Sequence, residues 1–162
     1  MKKIANLVGL FLAMIVVTSC ENDYGVFNSD NLAPIPVTFS NATTYGFDPF
    51  TRISLAGDRV IRFELSIPET SGRTIREVTK VAAGASAINI GTLNTGPNYV
   101  AAPIQGNGTK ATFSTTVAEF QTKRRTATTP VLAGQELAFI FLVTLDDNTQ
   151  IVTQRVRASI TP

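Results

Sequence analysis

Glu136-Leu137-Ala138-Phe139-Ile140-Phe141-Leu142-Val143-Thr144-Leu145 is a nearly unbroken apolar run; Asp146-Asp147-Asn148-Thr149 follows it, and then Gln150 to Ile160. Asp and Asn tolerate the positive φ angles of tight hairpin turns, so the segment predicts a β-hairpin. Pairing Leu145 with Gln150 sets a register in which Val143 faces Val152, Phe139 faces Val156 and Leu137 faces Ala158. These pairs share one face and are expected in the core. The other face carries Ala138, Ile140 and Leu142 opposite Arg157, Arg155 and Thr153. A one-residue slip would bury both arginines, which specifies the register. On that outer face Ile140 and Leu142 form either an apolar patch for a partner or a surface covered by arginine stems or by a long loop.

Upstream, Val60 to Ile67 alternates: Ile61, Phe63, Leu65 and Ile67 point one way, Arg62, Glu64 and Ser66 the other. Pro68 to Gly72 is a turn. Thr74 to Val81 reads as a strand with a less regular pattern, and Ile35 to Ser40 as a short edge strand flagged by Pro34 and Pro36. Asn98 to Ile104 and Thr109 to Val117 complete the set; in the latter Ala111, Phe113, Thr115 and Val117 share a face. Glu119 to Gly134 is expected to be a loop across the two sheets. About seven strands with turns every 8–12 residues predict an all-β, antiparallel β-sandwich over residues 34–162.

The beginning of the chain has a different character. Lys2 and Lys3 precede the apolar run Leu7 to Val17, which is shorter than the roughly 20 residues a membrane span needs and suits a signal-peptide core. Val17-Thr18-Ser19-Cys20 then resembles the bacterial lipobox. The resemblance implies cleavage between Ser19 and Cys20, removal of residues 1–19 and lipidation of the Cys20 sulfur. At about 0.8 kcal/mol per buried CH₂, two or three acyl chains anchor a protein firmly. Residues 20–33 read as the lipidated cysteine and a flexible polar tether, with a root-mean-square reach of about 20 Å for about 13 residues. An ordinary secretory leader followed by a stray thiol is the alternative.

Composition excludes several chemistries. The chain has no His, no Trp and one Cys among 162 residues, so a Ser-His-Asp triad, a Cys-His dyad, a His-based zinc site and an internal disulfide are all ruled out. With 44% hydrophobic and 16% charged residues, a core can form. Lys2 and Lys3 are the only charged residues of the leader. Of 14 basic and 12 acidic residues, 12 of each therefore remain after cleavage. That balance lacks a nucleic-acid footprint.

Glu21-Asn22-Asp23 places acids directly after the cysteine, and this start resembles surface lipoproteins of Bacteroidota-type bacteria; a solvated linker is the plain alternative. The strand Val60 to Ile67, the element Ala111-Thr112-Phe113-Ser114 and the hairpin Val143-Thr144-Leu145-Asp146-Asp147 resemble the immunoglobulin-like domain of small, uncharacterised lipoproteins of that group. The paired cysteines and core tryptophan of antibody-type domains are missing. The resemblance implies one immunoglobulin-like sandwich, lipid-anchored to the outer membrane, facing the cell surface or alternatively the periplasm. It implies a non-enzymatic module without a cofactor.

Candidate contact residues follow from chemistry. Tyr45, Phe47 and Phe50 cluster, and aromatic faces stack on sugar rings; packing on the sandwich edge is the competing reading. Lys123-Arg124-Arg125 is the basic run, suited to an anionic glycan, lipid head group or partner protein, or simply to a solvated face. Asp146 and Asp147 lack the six to eight oxygens calcium needs and read as a turn, so no metal site is expected. Tyr99 stands alone. No two carboxylates share an element at a spacing suited to glycosidase work. The expected role is a surface binding module for a glycan or an envelope protein. The alternatives are a structural or assembly subunit that adds a sheet edge and, remotely, a small hydrolase.

Overall fold

The Val60-Ile61-Arg62-Phe63-Glu64-Leu65-Ser66 alternation produces the strand it predicts. In the computed structural model, which describes residues 34–45, 48–124 and 130–162, Ile61, Phe63 and Leu65 are fully buried while Arg62 and Glu64 face water. The nine strands among the described residues are β1 (Thr38–Phe39), β2 (Phe50–Ser54), β3 (Val60–Ser66), β4 (Ile75–Ala85), β5 (Ile104–Gln105), β6 (Lys110–Thr116), β7 (Glu136–Leu145), β8 (Gln150–Val152) and β9 (Val156–Thr161). Two α-helices occur among the described residues, α1 (Gly91–Thr95) and α2 (Val117–Arg124).

The strands form two sheets. One is antiparallel with order β1-β3-β6; the other is mixed, curls into a half-barrel and runs β2-β9-β7-β4-β5, with β8 also on β7. Phenylalanines from both sheets meet between them. Phe63 of β3 lies 5.4 Å from Phe139 of β7, and Phe113 of β6 lies 5.2 Å from Phe141, measured between ring centroids. Offset and edge-to-face pairs of this kind add about 0.5–1.5 kcal/mol each beyond area burial. One hydrophobic core therefore joins the two sheets.

The strand pairing departs from the all-antiparallel expectation at one place. β2 runs parallel to β9, from Phe50 opposite Arg157 to Ser54 opposite Thr161. β2 itself has no alternation strong enough to mark it in the sequence, because Thr51 sits where an apolar residue would. The expected strand at Ile35 to Ser40 shrinks to Thr38–Phe39, and that at Asn98 to Ile104 to Ile104–Gln105. β4 extends through Ala85 and carries two register irregularities, which explains its uneven sequence pattern.

The hairpin forms, with one correction. Thr144, not Leu145, lies opposite Gln150, so Val143 faces Ile151 and Leu142 faces Val152. Val152 is consequently exposed. Beyond Thr153, one extra residue on the second strand restores the expected pairs Phe139 with Val156 and Leu137 with Ala158. This bulge changes which parity points inward: Ile151 and Thr153 are buried, then Val156, Ala158 and Ile160. The turn closes with Asn148 at φ 69°, as its residue type allows.

Neither arginine stems nor a long loop alone account for the outer face of β7. Ile140 packs with Ala82 and with Leu93 of α1, and Ile88 and Leu142 complete that small cluster. β7 is thus buried on both faces, which is why it reads as a continuous apolar run. The predicted loop at Glu119 to Gly134 is likewise replaced at its start by α2. The Thr116 Oγ1 accepts the Glu119 amide at 3.1 Å, an N-cap, and Val117 and Phe120 are buried. The compact unit that holds both sheets runs from Ile35 to Pro162.

Candidate functional site

Two places bring sequence-predicted contact residues to the surface. The first is an open cleft of about 410 Å³ along β2 and β3. Tyr45 and Phe50 line it with ring centroids 6.1 Å apart, and Tyr45 is 75% exposed. The Arg52 guanidinium lies 5.8 Å from the Phe50 ring centroid, within cation–π range. Arg62 lines the cleft from β3. Neither Arg52 nor Arg62 has a carboxylate within salt-bridge distance among the described residues. Thr51 also lines the cleft, and its hydroxyl is buried without a hydrogen-bond partner among the described residues.

The walls of this cleft are held by one side-chain substitute for strand pairing and one isolated backbone bridge. Asn41 Nδ2 donates to the Arg62 carbonyl at 2.9 Å, and Asn41 Oδ1 accepts the Glu64 amide at 3.0 Å. The amide side chain thus continues the ladder on β3 beyond the two residues of β1. On the other wall Thr43 and Phe50 exchange backbone hydrogen bonds at 2.8 and 2.9 Å. Beside the aromatic pair, these contacts occupy the Phe50 backbone and the Arg62 carbonyl.

The second place is the basic run, where its described cations, Lys123 and Arg124, are already engaged. Lys123 Nζ donates to the Tyr99 carbonyl at 2.8 Å, meets Glu119 at 2.7 Å and lies 4.6 Å from the Tyr99 ring centroid. Arg124 donates to the Pro97 carbonyl at 2.6 Å and sits 5.5 Å from the same ring. Tyr99, which looked incidental in the sequence, is the hub. It is buried, its ring touches Phe113, Phe120 and Phe139, and its hydroxyl meets Thr115 Oγ1 at 2.6 Å. Thr115 in turn donates to Glu119 at 2.8 Å. Burial pushes the Tyr99 phenol above its ordinary value. The Lys123 hydrogen bond, followed by that of Thr115, holds the Glu119 carboxyl below the usual range. Lys123 and Arg124 therefore fix α2 to the segment Pro97–Tyr99.

Asp146 and Asp147 hold a turn. Arg73 pairs with Asp146 at 3.1 Å and with Asp147 at 2.5 Å, and Asp147 accepts the Thr149 amide at 2.9 Å. No group of three potential metal ligands occurs among the described residues. Tertiary structure does gather two carboxylates that the sequence kept apart: Asp48 meets Arg155 at 2.6 Å, Glu136 meets Arg157 at 2.8 Å, and Arg157 also approaches Asp48 at 3.9 Å. Both acids are thereby committed to guanidinium pairs.

Ser19, Cys20, Phe47 and Arg125 lie outside the described residues. No helix among the described residues is long and apolar enough to cross a membrane. Arg52 and Arg62 escaped sequence reasoning because a missing ion-pair partner is not written in the chain. Thr116-Val117-Ala118-Glu119 did carry a legible signal, the Thr-x-x-Glu start of a helix. Neither protein-family models nor curated proteins match this chain.

Proposed function

We propose that this chain is a lipid-anchored, non-catalytic protein of the outer membrane, whose immunoglobulin-like β-sandwich serves as a binding module for a glycan or partner protein at the cell surface. The cleft at Tyr45 and Phe50 is the observation that carries the reading. It combines an exposed phenol ring, a second aromatic face and unpaired polar groups in one concavity, the mixture from which small ligand sites are made. The Lys2 to Cys20 leader supports the anchor. The commitment of Asp48, Glu119 and Glu136 to cations supports a role without acid–base chemistry.

Two measurements test this. Protease digestion of the domain on intact cells, lost in Cys20→Ala, is the expected result for a surface lipoprotein; protection until lysis refutes the surface placement. Retention of envelope polysaccharide and protein by the full-length chain is expected to fall at least about tenfold in the Tyr45→Ala, Phe50→Ala double variant. Unchanged retention by a folded double variant refutes the assignment of the site.

A further inference from the structure

We propose that the β2–β3 cleft takes a carboxylate-bearing saccharide, a uronic acid residue within a polysaccharide; this rests on the binding-module reading above. Arg52 and Arg62 approach the cleft from its two strands, and neither is neutralised by an acid among the described residues. Guanidinium groups recognise carboxylates through two parallel N–H donors, a geometry that suits a planar anion. The nearest acid along β3, Glu64, accepts a hydrogen bond from Ser40 Oγ at 3.2 Å on the β1 side. Glu64 forms no salt bridge with Arg62. Elsewhere among the described residues, guanidinium groups close internal contacts with carboxylates, as Arg73 does with Asp146 and Arg155 with Asp48.

The rest of the lining favours a sugar over a peptide. Tyr45, 75% exposed, offers its ring to the C–H surface of a pyranose. An added β-strand needs one free sheet edge, and at the aromatic end of the cleft the backbone groups are already paired. Asn41 already occupies the Arg62 carbonyl and the Glu64 amide, and Thr43 occupies both polar groups of Phe50.

The test uses the full-length lipidated chain in detergent micelles. Oligogalacturonate, oligoalginate and hyaluronan oligomers are titrated, each beside its carboxyl-reduced neutral counterpart, with polyglutamate as a peptide anion. The expected result is binding of at least one acidic saccharide at least about tenfold tighter than its neutral form, weakened by added salt. Arg52→Gln with Arg62→Gln is expected to abolish that preference, and Tyr45→Ala to weaken acidic and neutral forms alike. Circular dichroism establishes that the variants are folded. Failure to bind any acidic saccharide overturns the proposal, as does equal binding of polyglutamate. Equal binding of neutral and acidic forms that Tyr45→Ala removes overturns the acidic preference while leaving the binding module intact. If envelope retention is indifferent to Tyr45 and Phe50, both readings fall.

Discussion

Replacing Tyr99 by phenylalanine isolates one hydroxyl in a chain of hydrogen bonds. Thr115 gives its single proton to Glu119 at 2.8 Å, so the Tyr99 hydroxyl is the donor across the 2.6 Å contact to Thr115. Tyr99→Phe keeps the ring, its packing on Phe113, Phe120 and Phe139, and the Lys123 contact with its face. It removes one neutral hydrogen bond, about 1 kcal/mol, and leaves a buried acceptor on Thr115 less well satisfied, which brings the cost to about 1–2 kcal/mol. Thr115→Val removes the same bond from the other side and strands the Tyr99 hydroxyl. The double variant is therefore expected to be less destabilised than the sum of the singles, by about 1 kcal/mol of coupling. Urea unfolding of the full-length chain followed by far-ultraviolet circular dichroism suits a protein without tryptophan. The same experiment carries a pH signature. Because the folded phenol is raised above its ordinary value of 10.0, the unfolded chain ionises first. Its contribution is complete below pH 10.0 and is lost as pH rises toward the folded value; Tyr99→Phe removes that alkaline loss. Additive single variants, or a Tyr99→Phe cost below about 0.3 kcal/mol, would refute the network as a source of stability.

Other perturbations probe separate parts of the fold. A Cβ at Gly106 would fall 1.8 Å from the Ile75 carbonyl oxygen, so Gly106→Ala is expected to force the β4–β5 edge apart and cost about 1–3 kcal/mol in thermal melts. Leu93→Ala strips the cover from Ala82 and Ile140; about 2–3 kcal/mol is expected, with faster amide exchange on the outer face of β7. Asn41→Ala leaves the Arg62 carbonyl and Glu64 amide to water, costing about 1 kcal/mol; loss of exchange protection at Glu64 is the specific readout. The folded Glu119 carboxyl is held low, chiefly by Lys123. Its contribution is present above the ordinary value of 4.5 and fades as pH falls through the folded value, and a Glu119→Gln chain is expected to lack that acid step.

Strands whose alternation is uninterrupted were readable from residues alone, as Ile61-Phe63-Leu65 and Ala111-Phe113-Thr115 show. The hairpin was readable too, but its register near the turn was not. The extra residue beyond Thr153 compensates a one-residue offset at Gln150, and either half alone would have looked wrong. β2 was hidden because Thr51 breaks its inward pattern and because its partner β9 is distant in sequence. In the candidate site, Tyr45 and Phe50 were legible as aromatics in one short stretch. The arginines beside them were not, because Arg62 looked like any outward residue of an alternating strand. Conversely, Lys123 and Arg124 stood out as a run, yet their charges are spent on Glu119 and on backbone carbonyls.

The parallel pairing of β2 with β9 has a kinetic corollary. The Ser54 hydroxyl donates to the Pro162 carbonyl across 108 positions, and Arg155 meets Asp48 across 107. Contacts this non-local slow folding, because loop closure precedes any compensating gain. During synthesis from the amino end, β2 is the first of the pair to emerge and waits without its neighbour until all the strands between them and β9 itself have been made. The interval between β2 and β9 is therefore a window in which a bare strand edge is open to mispairing or to a chaperone. Substitutions along this seam are expected to act on the yield of correctly assembled protein before they alter the finished fold.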